Sequence, residues 1–280
     1  MIASGPVGPT QTPLAVRPVA AGLARPDGAA ERYERYVAAF ARPFATRVVD
    51  AVIASNPLVV LDHGAGTGLV TRLLHRQRPA ITVYALDPSA SLLTGLADEP
   101  SCVVAVGVSA DLERLHPGLR VDAVASSLSL MFCPTPTDDL LELRAHTISG
   151  GSLVVSVLGA SEDIEAFWCY WSAVRSVVSS AWHPAVYPHH RFADPERLRW
   201  DATAAGWEEA AISCVTGRRR LSSAQAWKWL NGALPVGDGP GYIELDATVR
   251  ERIRTEFETR WGPKRTVRSR GWLLRSVNPG

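Results

Sequence analysis

The chain has 280 residues, 46% of them apolar and 20% charged, which is enough for one large α/β domain with a sizeable core. A net charge of +1 leaves no electrostatic footprint for nucleic acid or an anionic membrane surface, and no apolar run reaches the roughly 18 residues of a membrane span. Four scattered cysteines (Cys102, Cys133, Cys169, Cys214) without a C-x-x-C pair argue against a zinc knuckle or a secreted disulfide framework and fit a reducing cytoplasm.

Residues 1–28 are rich in Pro, Gly, Ala and Thr, as in "SGPVGPTQTP", and read as a flexible tail without the pattern of a signal peptide. From Glu31 the apolar residues Tyr33, Tyr36, Val37, Phe40, Phe44 and Val48 recur at three- and four-residue steps. That spacing predicts one helix, kinked or divided at Pro43. "LVVLDH" (58–63) predicts a buried strand, and a helix follows from about Gly68. "ITVYALD" (81–87) predicts a second strand, followed by a helix opened near Pro88. "CVVAVG", "VDAVASSLSL" and "GGSLVVSVLG" predict a third, fourth and fifth strand, with a helix over about 138–147. Continuous Val/Leu runs alternating with helices predict a doubly wound, mostly parallel sheet of the Rossmann-like kind.

After Gly159 the rhythm changes. Ile164, Phe167, Trp168, Trp171, Val174 and Val178 follow helical spacing, and "WHPAVYPHH" reads as a loop. "DPERLRWDATAAGWEEAAISCV" predicts a helix, stopped at Gly206, and then a strand. Arg218, Arg219 and Arg220 read as a solvated turn. A helix over about 246–260 carries Val249, Ile253 and Phe257 on one side, and "VRSRGWLLRSV" closes as a strand.

The chemistry concentrates in "VVLDHGAGTG". In an open parallel sheet, ligands bind beyond the carboxyl ends of the strands where the strand order reverses. Gly64, Gly66 and Gly68 let the chain turn sharply and bring its amides against a ligand with no Cβ in the way. Asp87 ends the second strand, where a carboxylate can accept from both hydroxyls of a ribose. The spacing is G-x-G-x-G rather than the G-x-G-x-x-G of dinucleotide binders. Asp62 would repel a pyrophosphate but suits an ammonium, so the corner favours S-adenosyl-L-methionine (SAM) over NAD, with no metal.

"VVLDHGAGTG" followed by "ALDPSASLL" resembles motifs I and II of the class I SAM-dependent methyltransferases, most closely the small-molecule branch that includes the ubiquinone/menaquinone C-methyltransferases. "GVSADLERL", "VDAVASSLSLMF" and "GGSLVVSV" are similar to that family's later strands and adenine segment. The resemblance implies a seven-stranded sheet with a helical lid. It makes residues 29–280 a single methyltransferase domain, with a SAM-binding core over 29–160 and lid or substrate-binding insertions over 161–192 and 217–262. It also implies that Gly64, Ala65 and Gly66 line the methionyl part of SAM and its product S-adenosyl-L-homocysteine. Asp87 would take the ribose, Pro88 would pack near the adenine, Ala110 and Asp111 would meet the adenine edge, and Ser127 would face the methionine and the acceptor. His63, where an apolar residue is usual, is expected to lie behind the site.

Methyl transfer needs alignment and exclusion of water more than acid–base chemistry, so a catalytic signature is expected to be faint. Candidate bases are His183, His189 and His190, with ordinary surface histidines as the plain alternative. Tyr33, Tyr36, Trp168 and Trp171 are candidate substrate contacts. Of nine tryptophans, seven fall between Phe167 and Trp261, which points to an apolar, flat-walled acceptor cavity. The reading is O- or C-methylation of an aromatic or polyketide-like small molecule. The alternative is a SAM-binding protein of the same fold that catalyses a non-methylating step such as a cyclisation. Nucleic-acid methylation is disfavoured by the balanced charge and the absence of an N-P-P-Y-type motif, and a homodimer is compatible with the sequence.

Overall fold

A computed structural model describes residues 28–177, 190–233 and 247–280. Residues 1–27 of the expected tail (1–28) and the histidine-bearing segment 178–189 lie outside the described residues. Seven strands form one sheet in the order β3-β2-β1-β4-β5-β7-β6. They are β1 (Val59–His63), β2 (Thr82–Asp87), β3 (Cys102–Val106), β4 (Val121–Ser127), β5 (Thr147–Leu158), β6 (Glu208–Ser222) and β7 (Lys264–Val277). β1 to β5 run parallel, while β7 is antiparallel to both β5 and β6. The strand order reverses at β1, which puts the glycine turn after β1 at the switch point where such sheets bind ligands.

The helices are α1 (Ala29–Tyr36), α2 (Ala38–Ala54), α3 (Leu69–Gln77), α4 (Ala90–Leu93), α5 (Leu112–Leu115), α6 (Pro136–Ala145), α7 (Glu165–Val177), α8 (Pro195–Ala204), α9 (Ser223–Ala233) and α10 (Ala247–Trp261). Central strands bury both faces, as parallel strands covered by helices must: Val60, Leu61, Val83, Ala123, Val124 and Val155 are fully buried. α2 lays Phe44, Val48, Val49 and Val52 on the sheet. α6 and α8 are locked to each other by Trp207, whose Nε1 donates to the Leu140 carbonyl at 2.9 Å, and by Thr137, whose hydroxyl donates to the buried Asp201.

The structure departs from the sequence reading in two places. The N-terminal helix divides at Val37, between α1 and α2, and Pro43 sits inside α2 without ending it. Pro43, the sixth residue of α2, lies past the first turn, so it removes one helix hydrogen bond, and the helix continues through it with Phe44, Val48, Val49 and Val52 packed on the core. Arg218, Arg219 and Arg220 form no turn: β6 runs through them, paired to Arg268, Val267 and Thr266 of β7. β6 and β7 therefore project well past the end of β5, and the region expected as a helical lid is partly a two-stranded arm.

Candidate functional site

The turn after β1 is built backbone first. The Gly64 and Ala65 amides donate to the Leu86 carbonyl at 2.8 and 3.0 Å, tying the turn to β2. Gly64 (φ +71°) and Gly66 (φ +56°) both take left-handed conformations, but for different spatial reasons. A Cβ on Gly64 would fall 1.7 Å from Ser129 Oγ, whereas one on Gly66 would meet nothing within 4 Å. Gly64 is a packing glycine, and Gly66 borders an open bay.

Asp87 faces that bay. Its Oδ2 accepts the Gly66 amide at 2.9 Å and its Oδ1 accepts the Ser89 amide at 2.8 Å, and the residue is only 8% exposed. Each oxygen keeps lone-pair capacity for a further donor, so the carboxylate is held rigidly while still able to take a pair of hydroxyls. Pro88 follows it, half-buried. The Gly107 amide donates to the Asp87 carbonyl at 3.1 Å and so brings the end of β3 alongside. Ala110 is exposed there, and Asp111 caps its own turn by accepting from Val108 N. The hydrogen bond from Arg114 holds the Asp111 carboxyl below the usual range. Ser127 closes the group at the tip of β4, accepting from Ser156 Oγ at 3.1 Å. The tips of β1 to β4 thus bring Gly64, Ala65, Gly66, Asp87, Pro88, Ala110, Asp111 and Ser127 to one edge of the sheet.

Asp62 is the penultimate residue of β1. It is 1% exposed, and its Oδ2 accepts from both the Thr71 amide (3.1 Å) and hydroxyl (2.7 Å). Burial raises its pKa to about 6, with the Thr71 hydrogen bonds opposing the rise. The acid expected to meet an ammonium also fastens α3 to the end of β1.

His63 is the next residue and so points to the other face of the sheet. It is buried, with Nδ1 3.3 Å from Ser126 Oγ, and burial lowers its pKa. Its ring, the Cys133 thiol and the Asp139 carboxylate offer ligand atoms within 4.8 Å of one another, the only such metal-capable set among the described residues. Local contacts already engage them: the Ser109 hydroxyl donates to Asp139, and burial with the nearby Asp139 charge pushes the Cys133 thiol up, away from a nucleophilic thiolate.

Of the candidate bases, His183 and His189 lie outside the described residues. His190 is buried at the end of β5, where its Nδ1 donates to the Gly159 carbonyl at 2.9 Å. Burial lowers its pKa, with the bond to Gly159 opposing the change.

The aromatic residues sort unevenly. Phe40, Phe167 and Trp229 form one group, with centroids 5.2 Å (Phe40–Trp229) and 5.9 Å (Phe167–Trp229) apart, and His190 lies edge-on to Phe167 at 6.3 Å. Trp171 is buried against Tyr170, 5.0 Å away. Trp168 does not join them: it is 41% exposed, with the Arg175 guanidinium 4.9 Å from its ring. Three residues along a helix fall about 60° short of a full turn, which carries Trp168 off the buried stripe that holds Trp171. Tyr33 and Tyr36 are half-buried on α1, and Tyr36 packs on the core.

The sequence reading missed the strap over the turn. Glu34 of α1 accepts from the Thr67 hydroxyl and from Arg72 Nη2 at 3.0 Å, holding α1 against the glycine turn.

Comparison with known proteins agrees with this architecture. A methyltransferase domain family matches residues 30–211. The malonyl-(acyl-carrier protein) O-methyltransferase of Halorhodospira halophila is 30% identical over 195 residues, 66% of this chain and 61% of that protein. The trans-aconitate 2-methyltransferase of Escherichia coli O45:K1 is 29% identical over 118 residues, 42% of this chain and 44% of that protein. The matched stretch therefore spans less than two thirds of either relative. Among solved structures, the YcgJ protein of Bacillus subtilis superposes with a TM-score of 0.54 at 13% identity, covering 84% of this chain and 99% of that one. The (4+2)-cyclase SpnF superposes with a TM-score of 0.51 at 17% identity, covering 84% of this chain and 81% of that one. These two likenesses concern the fold. The family match covers well over half of the chain, and the chain belongs to this methyltransferase domain family.

Proposed function

We propose that the chain is a SAM-dependent methyltransferase acting by in-line transfer on oxygen or carbon of a hydrophobic small molecule. The observation that carries the reading is Asp87, clamped by two backbone amides beside the open bay at Gly66. SAM, when bound, supplies a methyl group on a sulfonium leaving group. The residues present fit it: Asp87 would take the ribose hydroxyls, the Gly64–Gly66 backbone the methionyl part, and Pro88, Ala110 and Asp111 the adenine side. Ser127 would face the acceptor. α1, strapped by Glu34, would exclude water, so alignment supplies most of the acceleration.

An acceptor that arrives as a hydroxyl would have to give up its proton to a base as its oxygen takes the methyl group. Of the three candidate bases, His190, held at the end of β5 by its bond to the Gly159 carbonyl, would take that proton. The aromatic group of Phe40, Phe167 and Trp229 supports an apolar acceptor, and the relative named malonyl-(acyl-carrier protein) O-methyltransferase supports transfer to oxygen.

Incubation with methyl-labelled SAM and a panel of phenols, enols and carboxylic acids tests the reading. Label in the product supports it. Turnover without label supports the non-methylating alternative, and failure to bind S-adenosylhomocysteine removes both.

A further inference from the structure

The two strands that project past β5 carry an unusual pair of cations. Cross-strand pairing sets Gly217 opposite Ser269, Arg219 opposite Val267 and Leu221 opposite Arg265. Alternation then places Arg219 and Arg265 on the same face of the arm as Gly217 and Ser269, at diagonal positions close enough for long side chains to meet. That face is the inner one: a Cβ on Gly217 would come within 3.3 Å of Pro43 in α2, and Val267 and Leu221 are buried.

Each guanidinium lies against a tryptophan, Arg219 at 4.8 Å from the Trp229 ring and Arg265 at 4.5 Å from that of Trp261. Both arginines are half-buried, Arg219 Nη1 and Arg265 Nε are buried atoms without a hydrogen-bond partner, Arg265 otherwise meets the Cys169 thiol, and among the described residues neither arginine pairs with an acid. Elsewhere on the surface, arginines such as Arg254, Arg260, Arg268 and Arg270 do find carboxylates. Arginine keeps its charge even when partly desolvated, and a buried, unpaired guanidinium is costly unless something anionic meets it. Burial indeed disfavours the charged form of Arg219, with no neighbouring acid to offset it.

We propose that Arg219, with Arg265 beside it, binds a carboxylate carried by the acceptor at a distance from its reacting atom. This rests on the methyl-transfer reading only in taking the ligand to be the acceptor. Trp229, Phe167 and His190 form a continuous aromatic row from Arg219 to the end of β5. The row suits an elongated molecule with an anionic head, an apolar body and a reacting end at the strand tips. The planar fork of arginine matches a carboxylate, and tryptophan walls favour a weakly hydrated monoanion over a phosphate. Arg219 is then a specificity residue, because its contact is with the recognised head and no bond changes there.

The test is calorimetric titration, in the presence of S-adenosylhomocysteine, with 4-phenylbutyrate and 6-phenylhexanoate, each against its amide and against inorganic phosphate. The wild type is expected to bind at least one acid about tenfold or more tighter than its amide, and phosphate weakly. Arg218→Met, on the exposed face, should keep that ratio, and Arg219→Met should bring it to about one. Arg219→Lys, a milder change should the methionine variant fail to fold, should retain a reduced preference. The proposal is overturned if no acid is preferred by the wild type, if phosphate binds more tightly than both acids, or if the preference survives in Arg219→Met. S-adenosylhomocysteine binding is read in the same titrations. Its loss in the wild type would sink the methyl-transfer reading, whereas a missing acid preference with that binding intact sinks the anion site alone.

Discussion

Glu34 and Arg72 meet at 3.0 Å across the glycine turn, joining the first helix of the sheet domain to the helix that the turn launches. Both side chains are partly exposed, at 47% and 29%, so the pair contributes little to stability, less than about 1 kcal/mol. Its position matters more than its strength, because Glu34 also takes the Thr67 hydroxyl and so holds α1 over the site. Glu34→Gln should leave the melting temperature nearly unchanged and speed dissociation of S-adenosylhomocysteine several-fold in stopped-flow displacement. An unaltered dissociation rate would mean that α1 does not retain the ligand.

The two glycines of the turn should respond oppositely to the same change. Alanine at Gly64 must displace Ser129, whose Oγ would lie 1.7 Å from the new Cβ, and it adds the cost of a left-handed backbone. Gly64→Ala is expected to lose several kcal/mol of stability or fail to fold. Gly66→Ala meets only the backbone cost of about 1–2 kcal/mol, because its Cβ points into the empty bay. It should fold and yet lose most of its affinity for S-adenosylhomocysteine. Melting curves and titrations of the pair check this, and equal ligand affinity in Gly66→Ala and wild type would show that nothing binds there.

How far the sequence could be read follows from where the information lies. β1 to β5 are local: short Val/Leu/Ala-rich segments ended by small or acidic residues mark each strand, although the edge strand β3 leaves Val103, Val104 and Val106 exposed. Asp87 and the glycine turn were legible for the same reason, since one strand end and one turn suffice to predict them. The Asp62–Thr71 contact was not legible, because Thr71 lies a turn into the next helix and a buried acid looks in sequence like a displayed one. The arginine run was misread as a turn because charge suggests solvent. Only the pairing with β7 shows that alternate members, Arg219 among them, are turned inward. His63, Ser126, Cys133 and Asp139 meet through the sheet from distant positions, and no spacing rule announces such a meeting.

Asp62 makes a pH prediction with a defined sign. Burial raises its pKa to about 6 in the folded protein, against 3.8 as the ordinary value. The folded state therefore binds more protons than the unfolded state between those values, and this group's contribution to stability improves as pH falls through 6. The full span amounts to about 3 kcal/mol. Asp62→Asn keeps an acceptor for Thr71 but does not titrate. Its stability relative to wild type should be greatest near pH 8 and should decline towards pH 4, with the change setting in near 6 and running on towards 3.8. A difference that stays flat across that range would show that the buried carboxyl has no raised pKa.

Asp87 gives the sharpest test of the cofactor reading, because it can be probed from the ligand as well as from the protein. Two hydrogen bonds from ribose hydroxyls to a charged acceptor, offset by lost solvation, are together worth about 2–4 kcal/mol. Asp87→Ala should weaken S-adenosylhomocysteine by a corresponding factor of about 30 to 1,000. The substitution also releases the Gly66 and Ser89 amides, so a loss of affinity alone would not distinguish contact from support. Removing a ribose hydroxyl from the ligand separates the two. The 2′-deoxy analogue should bind the wild type about tenfold or more weakly than the parent compound, but Asp87→Ala nearly as well as that variant binds the parent, since the partner of the missing hydroxyl is already gone. If the deoxy analogue loses the same factor in both proteins, Asp87 only shapes the turn and another group holds the sugar.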